Sequence, residues 1–238
     1  MYNCYSVTIH LNNFDQTKVI MKISKTLSGF LLLTFSLISS CGGGAKDQEG
    51  KSIRSIKLGN QIWMAENLDV SHFRNGDTIP EVRSSLEWNK MGEEGNPAWC
   101  FIQNDPEKEK KFGKLYNWYA VNDPRGLAPK NWHVASDDEW TQLINFLGGG
   151  VMAALKMRTT GLTDNLNSSK EDGFAGLAGG CRNSSGTFYG NDSFGYWWAA
   201  TEFGTSSAFI RVLNYVSCDI NFQTLEKTYG VSVRCLSD

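Results

Sequence analysis

The feature that most limits what this chain can fold into is an apolar run near its start. Residues 27–38 (LSGFLLLTFSLI) follow Lys22 and Lys25 and lead into the small residues Ser39 and Ser40. A membrane span needs about 20 apolar residues to cross roughly 30 Å of hydrocarbon, so this run is too short to cross. A basic start, a short apolar middle and a small-residue exit fit a secretory signal instead, and such a signal is cut away. A signal normally begins at its basic residues, so Met21 reads as the true start, residues 1–20 as an over-extended start and residues 21–40 as the signal.

The residue after the exit is Cys41. The run Ile38-Ser39-Ser40-Cys41 resembles the lipobox of bacterial lipoproteins. That resemblance implies acyl chains, palmitate among them, on Cys41 and an exported protein held to the bacterial envelope, at the outer membrane. Residues 41–51 have no large apolar side chain and read as a flexible tether. The leader carries Lys18, Lys22 and Lys25 against Asp15, so the remainder is more acidic than the whole chain's net charge of −2. A weakly acidic surface argues against nucleic acid as a partner. The membrane is reached through the N-terminal lipid.

Residues 52–238 form one domain. Residues 53–58 and 61–64 read as two short strands about the turn Gly59-Asn60, and residues 70–97 as a long irregular stretch. Phe112, Leu115, Tyr116, Tyr119 and Ala120 recur at helical spacing and predict a helix with an aromatic stripe facing the core. Ser136-Asp137-Asp138-Glu139 is a capping box that starts a second helix; Trp140, Leu143, Ile144 and Leu147 make its inner face, and Gly148 ends it. Later residues are richer in glycine, asparagine and aromatics. Strands are expected at 196–200, 208–213, 217–222 and 231–236, with Val231, Val233 and Cys235 inward and Ser232 and Arg234 outward. Helices early and strands late define an α+β fold.

Five motifs carry a family resemblance: Gln61-Ile62-Trp63-Met64-Ala65-Glu66-Asn67-Leu68, Tyr116-Asn117-Trp118-Tyr119-Ala120-Val121, Trp132-His133-Val134-Ala135-Ser136-Asp137-Asp138-Glu139-Trp140, Tyr196-Trp197-Trp198-Ala199-Ala200-Thr201-Glu202 and Gly230-Val231-Ser232-Val233-Arg234-Cys235. In this order they resemble the Fibrobacter succinogenes major paralogous domain, over roughly residues 56–238. The resemblance implies a C-type-lectin-like fold, shared with the formylglycine-generating enzyme group, with two helices packed on small twisted antiparallel sheets. It implies no established activity.

Cys100, Cys181, Cys218 and Cys235 remain once Cys4 and Cys41 are set aside. Four thiols in an exported domain suggest two disulfides, with three possible connectivities. The resemblance places cysteines at Cys100 and Cys235, which implies that pair and leaves Cys181 with Cys218. No Cys-x-x-Cys occurs, and only His72 and His133 lie in the domain, so no zinc set is expected. The formylglycine-generating relatives use two closely spaced thiols near the C-terminus, whereas Cys218 and Cys235 are well separated. An oxidoreductase of that kind is the least favoured reading. His133 reads as a packed, hydrogen-bonded residue, and the acids 137–139 read as capping groups rather than as catalysts. The domain is expected to be non-catalytic.

Recognition is the better-supported expectation. Asn191, Asp192 and Trp197 combine short polar oxygens with an aromatic face, a mixture that suits sugars. Glu202, Asn214, Asp219 and Asn221 add oxygens from neighbouring strands. No cofactor is expected; calcium is the one candidate, since it takes six to eight oxygens, although the lectin tripeptide Glu-Pro-Asn is absent. Trp197 and Trp198 are adjacent on a strand and must face opposite ways, so at most one reaches the surface. The partner is thus a glycan or a surface protein. The alternative is a passive structural or adhesive subunit whose loops, 70–97 and 159–172, meet other proteins.

Overall fold

The computed structural model describes residues 45–158 and 173–238. The chain divides into Met1–Gly43 and Gly44–Asp238. The signal, Cys41 and the loop 159–172 lie outside the described residues. Among the described residues, no helix is long and apolar enough to cross a membrane.

The first hairpin forms as its sequence dictates. Strands β1 (Ser55–Leu58) and β2 (Gln61–Met64) pair antiparallel, with Leu58 opposite Gln61 across the two-residue turn. Gly59 turns there at φ +63°, and its Cα packs so closely on Phe146 that a Cβ would lie 3.0 Å from the ring. The expected irregular stretch contains helix α1 (Ser85–Glu93), capped by Ser84 and anchored by the buried Trp88. With Leu86 turned outward and Trp88 and Met91 packed inward, a short polar helix leaves little periodicity to read.

The predicted helix over 112–120 is not formed. The segment is instead a short helix α2 (Glu109–Phe112), a strand β4 (Lys114–Tyr116) paired with β3 (Trp99–Phe101), and a helix α3 (Trp118–Val121). Gly113 breaks the helix: its φ is +69°, and a Cβ would lie 2.7 Å from the Leu68 carbonyl oxygen. Asn117 then starts α3 by accepting from the Ala120 amide at 3.1 Å. The stripe residues Leu115, Tyr116 and Ala120 are still buried, so the pattern marked the core but not the conformation.

The capping box forms fully. Strand β5 (Trp132–Val134) leads into α4 (Asp137–Phe146), where Ser136 and Glu139 each accept from the other's backbone amide. Trp140, Leu143 and Leu147 are buried, and Gly148 follows the helix end at φ +107°. A further helix, α5 (Gly150–Met157), buries Ala153, Ala154 and Met157 and packs on β10 (Asp219–Glu226).

The remaining strands are β6 (Cys181–Arg182), β7 (Phe188–Tyr189), β8 (Phe194–Phe203), β9 (Ser207–Asn214) and β11 (Cys235–Ser237). They make small antiparallel sheets: β1-β2-β11-β5, β10-β9-β8, β3-β4 and β6-β7. The architecture is α+β, as expected.

The closing segment stitches these sheets together. Gly230 bridges Arg182, Val231 bridges Tyr116, Ser232 bridges Trp197, and Leu236 lies between Trp63 and His133. It is therefore covered on both sides, and the expected outward face is not one: Ser232 is 3% and Arg234 0% exposed. The tether is also structured from Ala45 onward. Gln48 Nε2 donates to the Leu127 carbonyl at 2.8 Å, and Glu49 accepts from the Ser71 amide at 2.8 Å and contacts His72 Nδ1 at 3.0 Å. Polar side chains dock this segment where no apolar one could.

Candidate functional site

A polar groove between α2 and residues 175–179 is made of two cavities that share Lys111. Its first wall is held by two tight 3-10 turns at Ile102–Asn104 and Pro106–Lys108, the first with Gln103 and Asn104 at left-handed φ of 57° and 54°. The second wall approaches closely because it is glycine: a Cβ on Gly179 would meet Ile102 Cδ1 at 2.8 Å, and one on Gly180 (φ +69°) would meet Asn191 Oδ1 at 2.2 Å. A cavity of about 210 Å³ opens between Gln103, Lys108, Lys111, Phe112, Asn191 and Asp192. A second, of about 190 Å³, lies beyond Lys111 and is lined by Asn67, Lys110 and Arg234 among others.

Asn191 Oδ1 faces no donor although it is buried. Such an acceptor costs roughly 1–3 kcal/mol unless something bonds it. Asp192 sits beside it in the left-handed region at φ 63°, exposed, with its amide bonded to the Ala178 carbonyl at 2.9 Å.

The wall of the second cavity is a charge cluster. Lys114 is 4% exposed; its ammonium bonds Asp69 and Glu109, the latter at 2.9 Å, and lies 4.8 Å from the Trp99 ring centroid. Lys51 bonds Asp69 at 2.6 Å. Burial raises the Asp69 carboxyl above its usual range despite both lysines. Burial pushes Glu109 the same way, but its bonds from Lys114 and Asp69 pull it below. The floor is Arg234, whose guanidinium bonds Met64 O at 3.0 Å, Phe174 O at 2.7 Å and Asn67 Oδ1 at 2.8 Å. Burial, only partly offset by the nearby Glu66, lowers its pKa to about 9.

Of the residues expected to bind a ligand, the structure gathers Asn191 and Asp192 at one cavity and disperses the rest. Trp197 is not a surface residue: it is 0% exposed, its Nε1 donating to Asn67 Oδ1 at 2.9 Å. Strand β8 is covered on both faces, so Trp198 is buried too. Asn214 Oδ1 caps its own turn, accepting from Val216 N at 2.8 Å, and Asp219 Oδ1 accepts from Ser217 Oγ at 2.9 Å. Asn221 is exposed opposite Val212. Glu202 pairs with the buried Lys227 near the far end of β8, some ~26 Å along the strand from Phe194. These oxygens do not converge as a calcium shell requires. Among the described residues, no three of His, Cys, Asp and Glu are placed to share a metal ion.

The cysteines are not joined as expected. Cys100, Cys181 and Cys235 are buried free thiols, so neither expected bridge is made in the structure. Cys100 faces the core of Trp88 and Leu115, while Cys235 faces that of Tyr116 and Val134, across the β3–β4 ladder. Cys218 accepts from Arg158 Nη1 at 2.8 Å. Burial pushes the other three thiols up to about 12. His133, expected to be packed and bonded, holds Asp238 through Nδ1 at 2.7 Å and Glu139 through Nε2 at 2.8 Å.

The groove residues Gln103, Lys108, Lys110, Lys111 and Arg234 were not evident from sequence. The charged run 107–111 was the available signal, but a charge run is ordinarily a solvated face.

Fold and groove together define an α+β domain of small sheets with a polar, partly cationic cleft. The Fibrobacter succinogenes major domain model matches residues 56–237, and the chain belongs to that family. No curated protein and no solved structure matches the chain.

Proposed function

We propose that this domain is a non-catalytic recognition module of the bacterial cell envelope, of C-type-lectin-like fold and anchored through a lipid on Cys41, that binds a glycan in the groove beside α2. The observation that carries the reading is the polar cavity that brings Asn191 and Asp192 together with Gln103, Lys108 and the Phe112 ring. An amide, a carboxylate and an ammonium offer directional bonds to sugar hydroxyls, and an aromatic ring covers an apolar sugar face.

A glycan array probed with the purified protein and with an Asn191→Ala/Asp192→Ala variant tests this. The expected result is a defined set of bound glycans that the variant loses while keeping its circular dichroism. An empty array, or binding the variant retains, contradicts it. The alternative of a passive adhesive subunit draws on the exposed apolar side chains Val151, Met152 and Leu155 on α5, a surface of the kind that meets other proteins. Lipid attachment is read separately, by a lipid-bearing Cys41 at the N-terminus in mass spectrometry.

A further inference from the structure

We propose that the cavity beyond Lys111 is an anion subsite of the same groove and that the ligand is an acidic oligosaccharide, one carrying a uronate carboxylate; this rests on the glycan reading of the neighbouring cavity. The charges around the cavity carry the inference. Four cations line it: Arg54, Lys110, Lys111 and Arg234. Arg54 is neutralised by Glu66 at 2.6 Å. The other lining acids, Asp69 and Glu109, are held by Lys51 and Lys114. Lys110, Lys111 and Arg234 make no ion pair among the described residues, and only the Glu66 carboxylate, already bonded to Arg54, acts on Arg234 from a distance, so positive charge is in excess around the cavity.

Arg234 and the lysines play different parts. The five N–H groups of Arg234 are directed at neutral oxygens of Asn67, Met64, Phe174 and Ala175, so it offers no donor to a ligand. It offers a buried positive field, which is strong because little water screens it. Lys110 and Lys111 are exposed and bear movable donors. A carboxylate entering the cavity would meet both. Lys111 lines both cavities, so an acidic group in one would set a sugar ring in the other, beside Asn191 and Asp192.

Titration calorimetry with trigalacturonate, its methyl ester, a sulfated trisaccharide and inorganic phosphate tests the proposal. The expected result is binding of trigalacturonate that weakens with salt, is at least tenfold weaker for the methyl ester and falls at least tenfold in Lys110→Gln/Lys111→Gln, with Lys57→Gln as an unaffected charge control. Equal binding of acid and ester, an unaffected double variant, or preference for the sulfated sugar or free phosphate overturns it. Should only neutral glycans bind, and need Asn191, the subsite fails while the groove reading stands. Should no sugar bind at all, both fail.

Discussion

Trp197 and Trp198, neighbours in β8, face opposite ways and are both fully buried, each in a different core. Trp197 packs with Trp140 and Phe174, at centroid distances of 6.1 and 5.9 Å, while Trp198 donates through Nε1 to the Tyr116 carbonyl at 2.8 Å. The strand thus joins the α4–α5 side of the domain to the β3–β4 side.

Replacing either ring should destabilise the whole domain rather than blunt a binding surface. Trp197→Ala or Trp198→Ala is expected to cost about 3–5 kcal/mol, read as a lower urea midpoint. A loss under 1 kcal/mol would mean that the two cores do not depend on this strand.

Gly180 should tolerate no side chain. Gly180→Ala adds roughly 1–2 kcal/mol of left-handed strain and drives a methyl into Asn191 Oδ1. The methyl would also run into the Tyr189 carbonyl oxygen and the Asn191 amide, so stability should fall clearly further than in Gly204→Ala, which lies in open space at φ +69° and should show the strain alone, and any glycan binding should vanish. Identical behaviour of the two variants would remove Gly180 from the groove.

The His133 clasp should make stability depend on pH. Burial opposes the charged ring, but its bonds to Asp238 and Glu139 outweigh that and raise its pKa. A raised folded-state pKa stabilises fully below the unfolded value of about 6.5 and is lost as pH rises through the folded one. Burial raises Glu139 and the bonds from Ser136 and His133 more than reverse this, so its pKa is lowered. Its contribution is present above about pH 4.3 and lost as pH falls through the folded value. The gap in Tm between the protein and His133→Gln should therefore be widest between about pH 4.3 and 6.5 and narrow by pH 9. A gap independent of pH would contradict the clasp.

The buried thiols should resist alkylation in the folded protein, since burial holds them near 12 and reaction needs the thiolate. Unfolded without reductant, Cys100, Cys181 and Cys235 should each take one alkyl group by mass spectrometry. Their protection until reductant is added would show that bridges form after all.

Elements set by neighbouring residues were legible in the sequence, and those set from a distance were not. The α4 capping box and the β1–β2 turn are written within a few residues. The stripe over 112–120 had the right faces but the wrong conformation, because Gly113 turns where Leu68 presses against it. Arg234 alternated like an outward residue, yet three sheets close over its segment. The same holds for the groove. Asn191 and Asp192 stood out in an oxygen-rich turn, whereas Gln103 and Lys111 reach them from another part of the chain through contacts of Gly179 with Ile102.

Glycan recognition in the groove is tested most directly by following backbone amide shifts while the protein is titrated with an array-positive glycan. Saturable shifts should cluster at Gln103, Lys108, Lys111, Gly179, Asn191 and Asp192. Shifts confined to Val151, Met152 and Leu155 on α5, or to residues 70–97, would place recognition elsewhere and contradict it.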